Sequence, residues 1–103
     1  MARKRVGVLI SGGGSNLQAL LDAAADPAYP AEIVLVISNR ADAYGLDRAA
    51  RAGVTTDVID HRGFPDRARF DAAIDAALRA AGCEIVCLAG FMRVFTPEFV
   101  EGW

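Results

Sequence analysis

Gly12, Gly13 and Gly14 follow directly on an apolar run and precede Ser15 and Asn16 in "VGVLISGGGSNLQALL", residues 6–21. Residues without side chains let a ligand reach main-chain N–H groups. A helix starting at Ser15 adds unpaired donors and the positive end of its dipole. That combination suits an anion, and a single phosphate most simply. The plain alternative is that the glycines only turn the chain and Ser15 only caps the helix. Two other glycine-loop designs do not fit. A P-loop needs a lysine after its last glycine, and no Lys or Arg follows until Arg40. The dinucleotide fingerprint needs a third small residue where this chain has Leu17, and no acid ends the following apolar run.

A second stretch, "LAGFMRVFTPEFV" (residues 88–100), stays apolar past the point where Gly90 should end a strand. Phe91, Met92, Val94 and Phe95, interrupted by Arg93, suggest a wall for a flat, partly apolar molecule whose polar edge is read by backbone groups. Filling the core is the alternative. The only histidine, His61 in "DHRGF", reads as a loop residue rather than a base. Cys83 and Cys87 lack the further Cys or His ligands of a zinc site. Within one extended strand they would stand about 13 Å apart, too far for a disulfide, so buried reduced thiols are expected.

These residues are carried by alternating strand and helix signals. Val6 to Ile10 is a short buried-strand pattern, and Leu17, Leu20, Leu21 and Ala24 follow at helical spacing, with Ser15 and Gln18 fitting a capping box. "EIVLVIS" (residues 32–38) is a second strand. A helix then opens at Asp42, carries Leu46, Ala49 and Ala50, and ends at Gly53. "TTDVID" (residues 55–60) is a third, more polar strand. Pro65 and Asp66 open a helix whose stripe is Phe70, Ala73, Ile74, Ala77, Leu78 and Ala81, with Gly82 as its stop. "EIVCLAG" (residues 84–90) is the fourth strand. The βαβαβαβ order predicts an α/β fold, a doubly wound parallel sheet with right-handed crossovers and strand order 3-2-1-4. Ligands of such sheets bind where the winding reverses. Both the glycine loop and the segment after Gly90 fall there.

Totals set the class. The 103 residues make one domain or part of one; 53% are hydrophobic and 23% charged, so the chain is globular. A net charge of −2 offers no surface for generic nucleic-acid or membrane binding. The basic start, Arg3, Lys4 and Arg5, reads as a solvated terminus. No run reaches the roughly 18–20 apolar residues of a membrane span, and no signal-peptide pattern is present, so a cytoplasmic location is the default.

The conjunction of "ISGGGSNLQAL", "SNRADAYGLDRA" and "LAGFMRVFTPEFV" closely resembles the phosphoribosylglycinamide formyltransferases, folate-dependent enzymes of purine (IMP) synthesis, over essentially the whole chain. The resemblance implies the Rossmann-like formyltransferase fold. It also implies transfer of a formyl group from 10-formyltetrahydrofolate, as co-substrate and without a metal, to the amine of glycinamide ribonucleotide. On that resemblance Gly14, Ser15 and Asn16 hold the nucleotide phosphate, while Met92, Arg93, Val94 and Phe95 form the folate segment. Arg67 matches a further folate-contacting arginine, with a solvated helix-surface charge as its alternative, and Pro65 departs from some family members. The family's catalytic Asn and His, in an N-I-H-P-S segment, and its later Asp have no counterpart in these residues, so no catalytic residue is carried over.

Two observations point to a partial domain. "TPEFVEGW" opens a helix with Thr96 as cap and Pro97 in its first turn, yet has room for fewer than two turns. "IVCLA" would be a sheet edge without a guarding charge or proline. The expectation is residues 1–103 as the nucleotide-phosphate-binding N-terminal half of a formyltransferase catalytic domain, inactive alone. Its partners would be small molecules, with self-association through the open fourth strand as a further expectation. The competing readings are a non-catalytic phosphate- or nucleotide-binding module and a formyltetrahydrofolate hydrolase. The latter normally carries an additional N-terminal domain and lacks this G-G-G-S-N form.

Overall fold

In the computed structural model, which describes residues 3–91 and 95–103, four strands lie parallel in the order β3-β2-β1-β4. They are β1 (Lys4–Ile10), β2 (Ala31–Ser38), β3 (Thr55–Val58) and β4 (Ile85–Leu88). The helices are α1 (Ser15–Ala24), α2 (Tyr44–Arg51), α3 (Arg67–Ala80) and a short α4 (Pro97–Glu101). The strand order and alternation are those the sequence predicts.

β1 takes the centre because it can be buried on both faces, and Val8, Leu9 and Ile10 are fully buried. Val6, Val8 and Ile10 face one way and pack with Leu17 and Leu21 of α1 and Ala49 of α2. Leu9 faces the other way, joining Leu35 and Ile37 against Phe70, Ile74 and Leu78 of α3 and Phe99 of α4. Two apolar layers therefore sandwich the sheet, each fed by alternate residues of the same strand.

On β2 the alternation is interrupted, since Ile33 and Val36 share a face although three apart. An irregularity in the β1–β2 ladder explains this: Val6 pairs with Ile33, but Gly7 pairs with Leu35, so Val34 is an inserted residue. Gly7 at that point faces α3. A Cβ there would overlap the Leu78 side chain and lie 3.0 Å from Cys83 Sγ.

Several local expectations are corrected. No Ser15–Gln18 capping box forms; Gly14 caps α1 in the left-handed region (φ 80°), and Ser15 is already helical. Asp42 does not cap α2: the helix starts one residue later, with Ala43 at its N-cap, and the exposed Asp42 carboxylate accepts from Arg40 Nε at 3.2 Å instead. Asp66, rather than the Pro65–Asp66 pair, sets the start of α3, accepting from the Arg69 N–H at 2.8 Å. Strand β3 ends at Val58 because Asp60 draws the chain into a 3-10 turn, His61–Gly63, by accepting from the Arg62 N–H. Cys83 and Cys87 are free but only half-buried. Arg3 is not a solvated terminal charge: its guanidinium donates to the carbonyls of Ala24, Tyr29 and Ala31, tying the end of α1 to the start of β2. Among the described residues, no helix is long and apolar enough to cross a membrane.

Candidate functional site

Because all four strands run the same way, the segments that follow them gather at one edge of the sheet, and the winding reverses between β1 and β4. The glycine turn follows β1 there. Gly14 needs its positive φ to enter α1, and its Cα side presses on α2: an added Cβ would sit 2.7 Å from the Gly45 Cα. Gly12 and Gly13 are exposed, with open space where a Cβ would be. Ser15 and Asn16 are exposed on the first turn of α1, whereas Leu17 turns inward and is fully buried. The N–H groups of Gly13, Gly14, Ser15 and Asn16 donate to no other described residue. Four free main-chain donors at a helix N-terminus form a cradle for an anion.

Three carbonyls of the turn are, by contrast, engaged. Gly12 O accepts from the Gly45 N–H at 3.1 Å and Gly14 O from the Gln18 N–H at 2.8 Å. Gly13 O accepts from Arg48 Nε at 2.7 Å.

The opposite wall follows β4. Gly90 turns the chain with φ 78°, and Met92, Arg93 and Val94 lie outside the described residues. Phe95 is half-buried in an aromatic stack, 5.2 Å from Phe91 and 4.0 Å from Phe99 between ring centroids. Much of its surface is thereby spent on the α3-side core. Arg67 begins α3 with its side chain exposed and making no hydrogen bond or ion pair to a described residue. Gly14, Ser15 and Asn16 thus come together as one cradle. The folate-assigned residues that can be described, Arg67 and Phe95, sit on different elements.

Asp71 escaped the sequence reading. It is 2% exposed on the inner stripe of α3, and its Oδ2 accepts from the Thr96 N–H at 2.6 Å. Thr96 in turn caps α4 through the Phe99 N–H. The signal was available: Asp71 stands three residues before Ile74 and seven before Leu78, on the apolar face. Asn39 is 4% exposed at the end of β2. A concavity of about 480 Å³ runs from it past Arg40 and Asp42 to Asp60, His61 and Arg62. There, hydrogen bonds from the Arg62 side chain and N–H hold the Asp60 carboxyl well below the usual carboxylate range.

A parallel α/β sheet of order β3-β2-β1-β4, reversing its winding beside a glycine turn, defines a Rossmann-like domain. Residues 4–103 match the formyl transferase family, and the chain belongs to it. It is 54% identical over 101 residues to the trifunctional purine biosynthetic protein adenosine-3 of Bos taurus, covering 98% of this chain and 10% of that protein. It is 42% identical over 98 residues to the phosphoribosylglycinamide formyltransferase of Haemophilus influenzae, covering 95% of this chain and 46% of that one. Among solved structures, glycinamide ribonucleotide transformylase 1 from Symbiobacterium toebii superposes with a TM-score of 0.94 at 48% identity, over 98% of this chain and 48% of that one. The Brucella melitensis phosphoribosylglycinamide formyltransferase gives 0.95 at 44% identity, over 98% and 53%. The chain therefore spans about half the length of these formyltransferases and a tenth of the trifunctional protein.

Proposed function

We propose that this chain supplies the nucleotide-phosphate half of a catalytic domain that moves a formyl group from 10-formyltetrahydrofolate to the amine of glycinamide ribonucleotide, a step of de novo purine synthesis. The observation that carries the reading is the cradle of free N–H donors at Gly13, Gly14, Ser15 and Asn16, set at the reversal of the sheet. It fits a terminal phosphate monoester, whose charge the α1 dipole favours. Anchoring that end orients the amine at the far end of the ribotide toward the β4 side, where the segment after Gly90 would face the pterin.

Formyl transfer needs an amine that loses a proton and a donor for the oxyanion that develops on the formyl carbon. The family's Asn, His and Asp perform these tasks and have no counterpart here, so the 103 residues alone should bind without turning over. Robust formyl transfer by the isolated chain would contradict this division of labour. A cytoplasmic setting fits the substrates and the free thiols of Cys83 and Cys87. Strand β4 is the outer strand, with Ile85 43% and Leu88 57% exposed, which suits pairing with a further strand of the same protein or with a second copy.

Calorimetric titration of the full-length protein with glycinamide ribonucleotide tests the phosphate assignment. Gly14→Val should abolish binding by forcing the turn away from α2, since its Cβ would stand 2.7 Å from the Gly45 Cα, and Asn16→Ala should weaken it. Wild-type affinity in both variants would overturn the assignment.

A further inference from the structure

The glycine turn holds two peptides flanked by glycine on both sides, Gly12–Gly13 and Gly13–Gly14. Nothing in their covalent structure decides which face shows N–H and which shows C=O, because glycine accepts both signs of φ at little steric cost. In a trans peptide the two groups point in opposite directions, and no described peptide is cis. Tethering a carbonyl therefore aims the next N–H. Here the Gly45 N–H ties down Gly12 O, and Arg48 Nε ties down Gly13 O. The N–H groups of Gly13 and Gly14 must then point away from α2. Gly14 O, held by Gln18 within α1, does the same for the Ser15 N–H.

We infer that the first turns of α2, through Gly45 and Arg48, are the positioning element of the anion cradle, fixing the donor sense of Gly13 and Gly14 before a phosphate monoester arrives. The inference rests on the phosphate reading of the turn. It also gives "YGLDR" in the second family motif a task. Positions 45 and 48 share one face of α2, three apart. Gly45 lets the helix touch the loop: a Cβ there would lie 2.5 Å from Ile10 Cδ1, 3.2 Å from Gly12 O and 3.3 Å from Gly14 Cα. Arg48 is itself pre-set. Its Nη1 donates to Gln18 Oε1 at 3.2 Å, and its guanidinium lies 4.9 Å from the Tyr44 ring centroid. Gln18 is held from the other side, since its Nε2 donates to Asp22 at 2.9 Å. A network closed by the chain's own residues removes ordering cost from the binding step.

Arg48 could instead serve as a cation touching the phosphate, and two substitutions separate these roles. Arg48→Gln places a neutral N–H donor at the atom position of the arginine Nε, whereas Arg48→Met places a methyl group there. Full-length protein is titrated with glycinamide ribonucleotide and with inorganic phosphate, alongside Gly14→Val, and KM is measured for both substrates. Positioning predicts that Arg48→Met weakens ribotide binding about tenfold or more, the worth of a charge-assisted hydrogen bond turned into a repulsive carbonyl. Arg48→Gln should recover most of it, and KM for the folate should stay unchanged in both. Equal losses in the Gln and Met variants would overturn the inference in favour of direct charge contact. Wild-type binding by Arg48→Met, with inorganic phosphate still competing with the ribotide, would overturn it while leaving the phosphate reading standing. Wild-type binding by Gly14→Val would remove the phosphate reading and the inference together.

Discussion

Gly14→Ala should be among the costliest single-methyl additions in this chain, and its cost can be worked from the structure. At φ 80° the backbone lies in the left-handed region, where a Cβ costs about 1–2 kcal/mol. The same Cβ would stand 2.7 Å from the Gly45 Cα, a backbone atom that no rotamer change can move, and 3.2 Å from Arg48 Cδ. Overpacking of that kind costs a further 1–3 kcal/mol or so. The sum, about 2–5 kcal/mol, is a large share of the roughly 5–15 kcal/mol that holds a domain together. Gly13→Ala is the control, because a Cβ there meets nothing within 4 Å and the φ is not positive. Urea unfolding followed by circular dichroism should show a markedly lower midpoint for Gly14→Ala and a shift under about 0.5 kcal/mol for Gly13→Ala. Equal effects of the two variants would refute the claim that Gly14 is pinned by conformation and by α2.

Other parts of the fold respond in distinct ways. Asp71→Ala removes the carboxylate that receives the Thr96 N–H and should cost about 1.5–3 kcal/mol. Trp103, the one tryptophan here, donates to Asp75 on α3 and should report the loosening of α4 as a red-shifted emission at lower urea than the loss of helix signal; coincident transitions at the wild-type midpoint would contradict the coupling. Burial pushes the Cys83 thiol above its ordinary value, against a smaller opposing effect of Arg5, so its thiolate is scarce near pH 8. Mass spectrometry should find Cys83 alkylated by iodoacetamide more slowly in the folded chain than in urea, and equal rates would contradict its burial. The Glu84 carboxyl is held below its usual value by the Arg5 N–H first and by Lys4 second, and Asp60 is held low by Arg62. Groups lowered in the folded state stabilise it fully above the ordinary carboxylate range, and that contribution fades as pH falls through it. Glu84→Gln should therefore flatten the decline of the urea midpoint between about pH 5 and pH 3; an unchanged decline would exclude a part for Glu84.

The sheet was legible because its central strand is apolar on both faces, and the turn was legible because three successive glycines have few structural uses. What escaped depended on contacts between segments far apart in the chain. Ser15 looks like a cap, but the path of the chain out of β1 and the pressure of Gly45 make Gly14 the cap and put Ser15 inside the helix. Asp42 looks like a cap as well, yet the helix starts one residue later and its carboxylate accepts from Arg40 instead. The bulge at Val34 cannot be read from β2 alone, since it is a mismatch of register with β1. Asp71 sits in an apolar stripe only because a backbone N–H from the far side of β4 meets it. The glycine turn was legible in outline, whereas Arg48, which holds its Gly13 carbonyl from another helix, was not.

The most direct measurement is where the ribotide phosphate sits. A crystal of the full-length protein soaked with glycinamide ribonucleotide should place phosphate oxygens within hydrogen-bonding distance of the Gly13, Gly14 and Ser15 nitrogens, with the Gly13 carbonyl still on Arg48. A phosphate found elsewhere, for example in the concavity between Arg40 and Arg62, would contradict the phosphate assignment.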